Sequence, residues 1–274
     1  MKSTTVFFID WSDMDKEGAV CAEQMLYLQS LRSMSEVTKL LYGNDRGYAD
    51  KAEQLKEKIQ KFYWREEKGA YIDSYTSGRE NVTRHANIFA VMFGIADAAQ
   101  TRAIVSNVLL NDSVTQITTP YFKFFELDVL CGLGYLETAT QRMEDYWGGM
   151  LLLGATTVWE QYDPAETGTE HYAMYGMKYG RSLCHAWGAG PVYLLGRYYL
   201  GVDPVTPGYK TFEVAPRLGG LKRISGAVPV NNGTVRIDYD GTTIRVLSDK
   251  EGGTLKIWGN EYSIKKNEEL VLTK

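Results

Sequence analysis

Apolar residues recur every three or four positions through the first part of the chain. Met25, Leu28, Leu31, Met34, Val37, Leu40 and Leu41 follow the polar stretch 13–18 and run to the breaker Gly43-Asn44. That spacing predicts a long amphipathic helix. Leu55, Ile59, Phe62 and Tyr63 repeat it after Asp50, so a second helix is expected to stop before Gly69. A third is expected over about residues 82–98 and a fourth over 101–110. Thr119 before Pro120 reads as an N-cap with proline in the first turn, opening a fifth helix through Phe124, Leu127, Leu130 and Cys131 to Gly134. A sixth is expected from Leu136 to about Tyr146, and a seventh over residues 182–200, interrupted by Gly188, Gly190 and Pro191.

Between the last two helices, residues 148–181 show little period but hold Trp159, Tyr162, His171, Tyr172, Tyr175 and Tyr179. So many rings do not suit a disordered segment, and an ordered loop layer over a site is expected. From about Pro204 the period changes to two: Val235, Ile237 and Tyr239 alternate with Arg236 and Asp238, and Leu255 and Ile257 flank Lys256. With hairpin turns expected at Asn232-Gly233 and Asp240-Gly241, residues 209–274 read as a small antiparallel β-sandwich. Successive helix pairs followed by such a module suggest a helical toroid. A closed double ring needs roughly twice as many helical residues, so about half a ring is expected. The fold class is therefore an α + β multidomain chain, with a partial toroid over 1–205 and a β-sandwich over 206–274.

Composition narrows the function classes. The 274 residues are 44% apolar and 23% charged, enough for a real core in each domain. The net charge of −4 comes without any dense basic stripe, which argues against nucleic acid or an anionic membrane as partner. Apolar runs such as residues 150–153 and 192–195 are far shorter than the roughly 18 residues of a membrane span. Three widely spaced cysteines, Cys21, Cys131 and Cys184, form no CxxC and no Cys/His pair at ligand spacing. No disulfide framework, metal or cofactor is expected. Residues 1–11 carry only the apolar stretch 6–9 before Asp10, too short and too acidic for a signal peptide. As given, the chain reads as cytoplasmic, while a parent protein with an upstream signal would be periplasmic. Aromatic residues reach 12%, which suits thick helix packing or sugar stacking.

Glycoside hydrolysis needs two carboxyl groups across the scissile bond, one protonating the leaving oxygen and one activating water or attacking. Glu160 is the candidate: it closes the run Gly154-Ala155-Thr156-Thr157-Val158-Trp159-Glu160 beside a tryptophan. The plainer alternative is a helix-start glutamate favoured by the helix dipole. His85, His171 and Glu126 read first as packing on helix faces, and Asp163, Glu166 and Glu170 as a solvated acidic loop.

Three ordered blocks, GATTVWE at 154–160, SLCHAWGAGP at 182–191 and PGYKTFEVAP at 207–216, closely resemble the C-terminal half of the α-L-rhamnosidases of glycoside hydrolase family 78. Phe8-Ile9-Asp10-Trp11 and Thr119-Pro120-Tyr121-Phe122 are weaker anchors of the same resemblance. It implies an (α/α)6 toroid with a β-sandwich, an inverting mechanism, and hydrolysis of terminal α-L-rhamnosides in a rhamnose-containing glycoside or oligosaccharide. By the same resemblance Glu160 matches the general base, His185 a histidine that bonds sugar hydroxyls, and Trp11 an apolar wall for the sugar, with core packing the alternative for the last two. Asp10 is expected to orient a loop or touch a hydroxyl, and Trp159 and Tyr121 to line the site. Cys184 stands where the commoner family form has Asn, and Gly188-Ala189-Gly190 replaces Gly-Ser, which resembles a subgroup of different substrate. The family's general acid lies in an acidic loop upstream of the Asp-Trp element. The isolated chain is therefore expected to be inactive, to need an N-terminal half or to self-associate. The competing expectation is a truncated or split remnant that only binds carbohydrate; a fucosidase- or trehalase-type hydrolase is disfavoured by the three blocks.

Overall fold

The computed structural model describes residues 8–274, so the apolar stretch over residues 6–9 lies partly outside the described residues. The chain divides into two compact units, Met1–Val129 and Leu130–Lys274. In the first, α1 (Cys21–Tyr42) buries Met25, Leu28 and Leu31 and is ended by Gly43, whose left-handed backbone returns an N–H to the Lys39 carbonyl at 2.9 Å. It packs against α2 (Tyr48–Tyr63) and α3 (Arg84–Met92). The third helix is shorter than expected because Gly94, at φ 59°, turns the chain out. Asp97 then starts α4 (Ala98–Ile104) through a capping box with Gln100. The last turn of that helix, Val105–Leu109, is π-wound. A short hairpin of β1 (Trp64–Arg65) and β2 (Ala70–Tyr71), which the periodicity does not predict, follows α2.

The fifth helix, α5 (Pro120–Gly132), begins where expected, with the Thr119 hydroxyl accepting the Phe122 N–H at 3.4 Å. In the second unit α6 (Leu136–Leu152) runs a turn and a half beyond Tyr146, until Gly154 at φ 87° reverses the chain. The expected seventh helix is mostly absent. Residues 182–185 are non-helical, a 3-10 turn covers Ala186–Gly188, and α7 (Gly190–Leu194) starts only at the Gly190-Pro191 step, continuing as a π turn over Leu195–Tyr199. Backbone bonds from Glu160 N–H to Ser182 (2.9 Å) and from His185 N–H to Val158 (2.8 Å) use the groups that a helix would need.

Eight strands follow: β3 (Val202–Pro204), β4 (Phe212–Val214), β5 (Ile224–Val230), β6 (Gly233–Tyr239), β7 (Thr243–Ser248), β8 (Gly253–Ile257), β9 (Asn260–Ile264) and β10 (Leu270–Thr273). They form two four-stranded sheets, ordered β10-β7-β6-β5 and β3-β4-β8-β9. The alternation holds: Val235, Ile237, Ile244, Val246, Leu255 and Ile257 are all buried. One pairing departs from the antiparallel expectation, since β4 lies parallel to β8. The β5–β6 turn is Asn231-Asn232, both left-handed, one residue before the expected Asn-Gly step, because Gly233 already pairs with Val230.

Apolar side chains stand out at two helix ends, Leu40 (87% exposed) on α1 and Leu152 (91%) on α6, each with an exposed leucine neighbour. Large exposed apolar side chains that are neighbours in sequence are candidate contact surfaces. The chain should therefore bind hydrophobic dyes or self-associate, and Leu40→Glu with Leu152→Glu should lower both. A dye-silent, monodisperse monomer in light scattering would contradict this. Among the described residues no helix is long and apolar enough to cross a membrane.

Candidate active site

Backbone pairing determines where Glu160 goes. Residues 158–160 are tied to 182–185 by the backbone bonds from Glu160 N–H to Ser182 and from His185 N–H to Val158. Trp159, 3% exposed, joins Tyr146, Met150 and Tyr162 in an aromatic cluster. It packs there, away from solvent. Gly149 permits that cluster, because a Cβ there would meet the Tyr162 ring at 2.3–2.7 Å. Glu160 is 4% exposed, and its carboxylate accepts from two donors, the Tyr175 hydroxyl on Oε1 and the Ser182 N–H on Oε2 at 3.1 Å. Its backbone carbonyl accepts the Trp187 indole N–H at 3.0 Å, and Trp187 lies against the His185 ring, 4.5 Å between centroids. His185 is half-buried at the start of the 3-10 turn.

Tyr175 sits at the tip of a tight turn closed by reciprocal bonds between Met174 and Met177, with Tyr175 and Gly176 both left-handed. The hydrogen bond to Glu160, then partial burial and the glutamate's charge, push its phenol up, so it is a protonated donor at neutral pH. The sequence marks Tyr175 only as a loop ring; fifteen residues from Glu160, no spacing rule links the two. Arg181 anchors the same loop, donating to both oxygens of Glu166 (2.6 and 2.8 Å) and to the His171 carbonyl (2.9 Å). Glu166 is thus clamped rather than solvated, and Glu170 closes a capping box on Thr167. His171 is buried against Tyr162.

Asp10, Trp11 and Tyr121 belong to the Met1–Val129 unit. Asp10 is fully buried, its carboxylate accepting from Ser12 (2.7 Å), Thr119 (2.5 Å) and His85 Nε2 (2.8 Å). Burial raises its pKa, but the His85 hydrogen bond and charge, with the Thr119 and Ser12 bonds, outweigh it and hold the carboxyl below its usual range. His85 continues through Nδ1 to Thr83 Oγ1 (3.1 Å), which reaches Asp73 at 2.7 Å. Trp11 is 41% exposed and meets the Phe8 ring in a T-shaped contact, 4.8 Å between centroids. Half-buried Tyr121 packs edge-on against Phe122 and Phe125, and burial, then the Asp10 charge, push its phenol up. Arg84, Glu126 and Lys123 form a separate buried ionic cluster. Among the described residues no group of three or more His, Cys, Asp or Glu could hold a metal ion.

Helical hairpins followed by an aromatic-rich loop that carries a buried glutamate, and then by a β module, are the arrangement to be matched with known proteins. The profile of the bacterial alpha-L-rhamnosidase 6 hairpin glycosidase domain matches residues 2–199, and the chain belongs to that family. Among solved structures, it is similar to the family 78 rhamnosidase of Bacillus sp. GL1, with 26% identity and TM-score 0.80 over 95% of this chain and 29% of that one. Similarity also extends to the Klebsiella oxytoca rhamnosidase with rhamnose bound, at 27% identity and TM-score 0.61 over 70% of this chain and 36% of that one. The Streptomyces avermitilis α-L-rhamnosidase complexed with L-rhamnose shares the fold at 15% identity and TM-score 0.67, over 90% of this chain and 24% of that one. The chain thus spans about a third or less of the length of these proteins. No match is found among curated proteins.

Proposed function

We propose that this chain is the base-bearing part of an inverting hydrolase of terminal α-L-rhamnosides. Glu160 is the general base, deprotonating the water that attacks the anomeric carbon. The observation that carries this reading is the environment of its carboxylate: buried, and held by two donors that leave further lone pairs to accept a water. His185 supplies a polar contact for sugar hydroxyls, Trp11 an apolar wall, and Tyr121 a lining ring. Asp10, with all its bonding directed inward, orients the segment that presents Trp11. The helical part, residues 1–205, contributes about half of an (α/α)6 toroid, and residues 206–274 a β-sandwich; a family match ending at residue 199 supports that division.

By the family resemblance the general acid lies in an acidic loop upstream of the Asp-Trp element; close to that element Asp13 is exposed, while other acidic side chains are committed elsewhere. Asp15 pairs with Arg79, and Glu126 with Arg84 and Lys123. With one of two carboxyls missing, the isolated chain should hydrolyse an aryl α-L-rhamnoside no faster than background, since each group is worth about 10²–10⁴-fold. Robust turnover by the purified chain would overturn this assignment of the acid. The carbohydrate-binding-remnant reading applies to the isolated chain, given its short span of the related enzymes.

A further inference from the structure

A second site lies in the β module, well away in sequence from Glu160. A cleft of about 440 Å³ is lined by Tyr239 at the end of β6, Trp258 after β8, Glu213 on β4 and Arg217 just beyond it, a volume suited to one or two sugar rings. Trp258 and Gly259 form the two-residue turn between Ile257 and Asn260, with φ 51° and 79°. Such a turn ordinarily takes Asn-Gly, and a bulky side chain in the left-handed region is a genuine outlier. Outliers of this kind cluster at functional sites. Here the turn sets an indole, half-buried and without a hydrogen-bond partner for its N–H among the described residues, at the rim of the cleft.

Charge in the cleft is unbalanced. Asp203 is paired with Arg197 at 3.2 Å and Glu213 with Lys256 at 2.6 Å. Arg217 is exposed, and its guanidinium has no hydrogen bond or ion pair among the described residues. Its backbone is fixed by a bond from its N–H to the Tyr199 carbonyl at 2.9 Å. A free guanidinium matches a planar carboxylate with two parallel bonds, and aromatic faces match the C–H face of a pyranose. We propose that this cleft binds a uronic-acid residue of an acidic glycan, the carboxylate on Arg217 and the ring against Trp258 and Tyr239. The site is independent of hydrolysis at Glu160, so it stands or falls on binding alone.

Titrating the full 274-residue chain with trigalacturonate, maltotriose and inorganic phosphate, followed by calorimetry and tryptophan fluorescence, tests it. Trigalacturonate should bind at least about tenfold more tightly than either of the others, the scale of one charge-assisted hydrogen bond. Trp258→Gly, which suits the turn and should fold, should weaken trigalacturonate binding about tenfold or more. Arg217→Gln should reduce it to the level of maltotriose. Absence of trigalacturonate binding overturns the proposal. So does phosphate binding as tightly, which would mark a bare anion site, or maltotriose binding as tightly, which would leave the carboxylate without a role. Affinity unchanged in both variants places the ligand elsewhere and overturns it equally.

Discussion

Glu160→Gln should lower α-L-rhamnoside hydrolysis by about 10²–10⁴-fold, the contribution of a positioned base, in an enzyme that joins this chain to its acid-bearing segment. Sugar binding should be largely spared. The amide oxygen can keep the bond from Ser182 N–H, and the amide nitrogen can face Tyr175, whose hydroxyl rotates to accept. Shape and hydrogen bonding therefore survive while proton acceptance is lost, so kcat falls with KM nearly unchanged. His185→Ala should behave differently, weakening binding as well as rate, because a buried sugar hydroxyl left without its partner costs about 1–3 kcal/mol. For an inverting pair the two carboxyls should lie roughly 6.5–9.5 Å apart, with room for the water. Rates of Glu160→Gln within about tenfold of the parent, against the range expected for a base, would show that another residue takes the proton.

The long elements were legible because burial there follows a local period. Along α1, Met25, Leu28 and Leu31 face inward at helical spacing, and in β6 Val235 and Ile237 do so at spacing two. The misreadings lie where non-local partners override the period. Residues 182–185 have a helix-compatible composition but are tied to 158–160 by two backbone bonds instead. The β1–β2 hairpin has only two residues per strand, too few for alternation to register. The parallel contact of β4 with β8 joins segments about forty residues apart, which no turn signal encodes. For the site, the motif points to Glu160 and the doublet Asp10-Trp11 but not to their neighbours. His85 meets Asp10 across 75 residues and Tyr175 meets Glu160 across 15, contacts that exist only once the chain is folded.

Glu126→Ala should destabilise the Met1–Val129 unit by about 3–5 kcal/mol, the scale for breaking one side of a buried ion pair. Arg84 and Glu126 are both fully buried, 2.7 Å apart, with Lys123 at 2.9 Å from the second carboxylate oxygen. Arg84 also donates to the carbonyls of Leu109 (2.6 Å) and Asn111 (2.9 Å), so its guanidinium is tied in place and cannot follow solvent when the carboxylate goes. Lys123 is buried as well, so removing the carboxylate takes the counter-ion from two buried cations. In thermal unfolding the midpoint should fall by roughly 10–20 °C for a unit of this size. Asp238→Ala gives the contrast. It breaks an equally short pair with Arg223, but both side chains are substantially exposed, and the change should stay below about 1 kcal/mol. Replacing all three members with apolar residues, Arg84→Met, Lys123→Met and Glu126→Leu, should recover part of the loss, since no buried ion of the cluster then remains. A Glu126→Ala midpoint within a degree or two of the parent would mean that Arg84 finds another acceptor. The pair joins the start of α3, next to His85, to the helix whose Thr119 cap bonds Asp10. Its loss should therefore also loosen the Asp10 hydrogen bonds, read as faster amide exchange across residues 83–89 in Glu126→Ala than in Asp238→Ala.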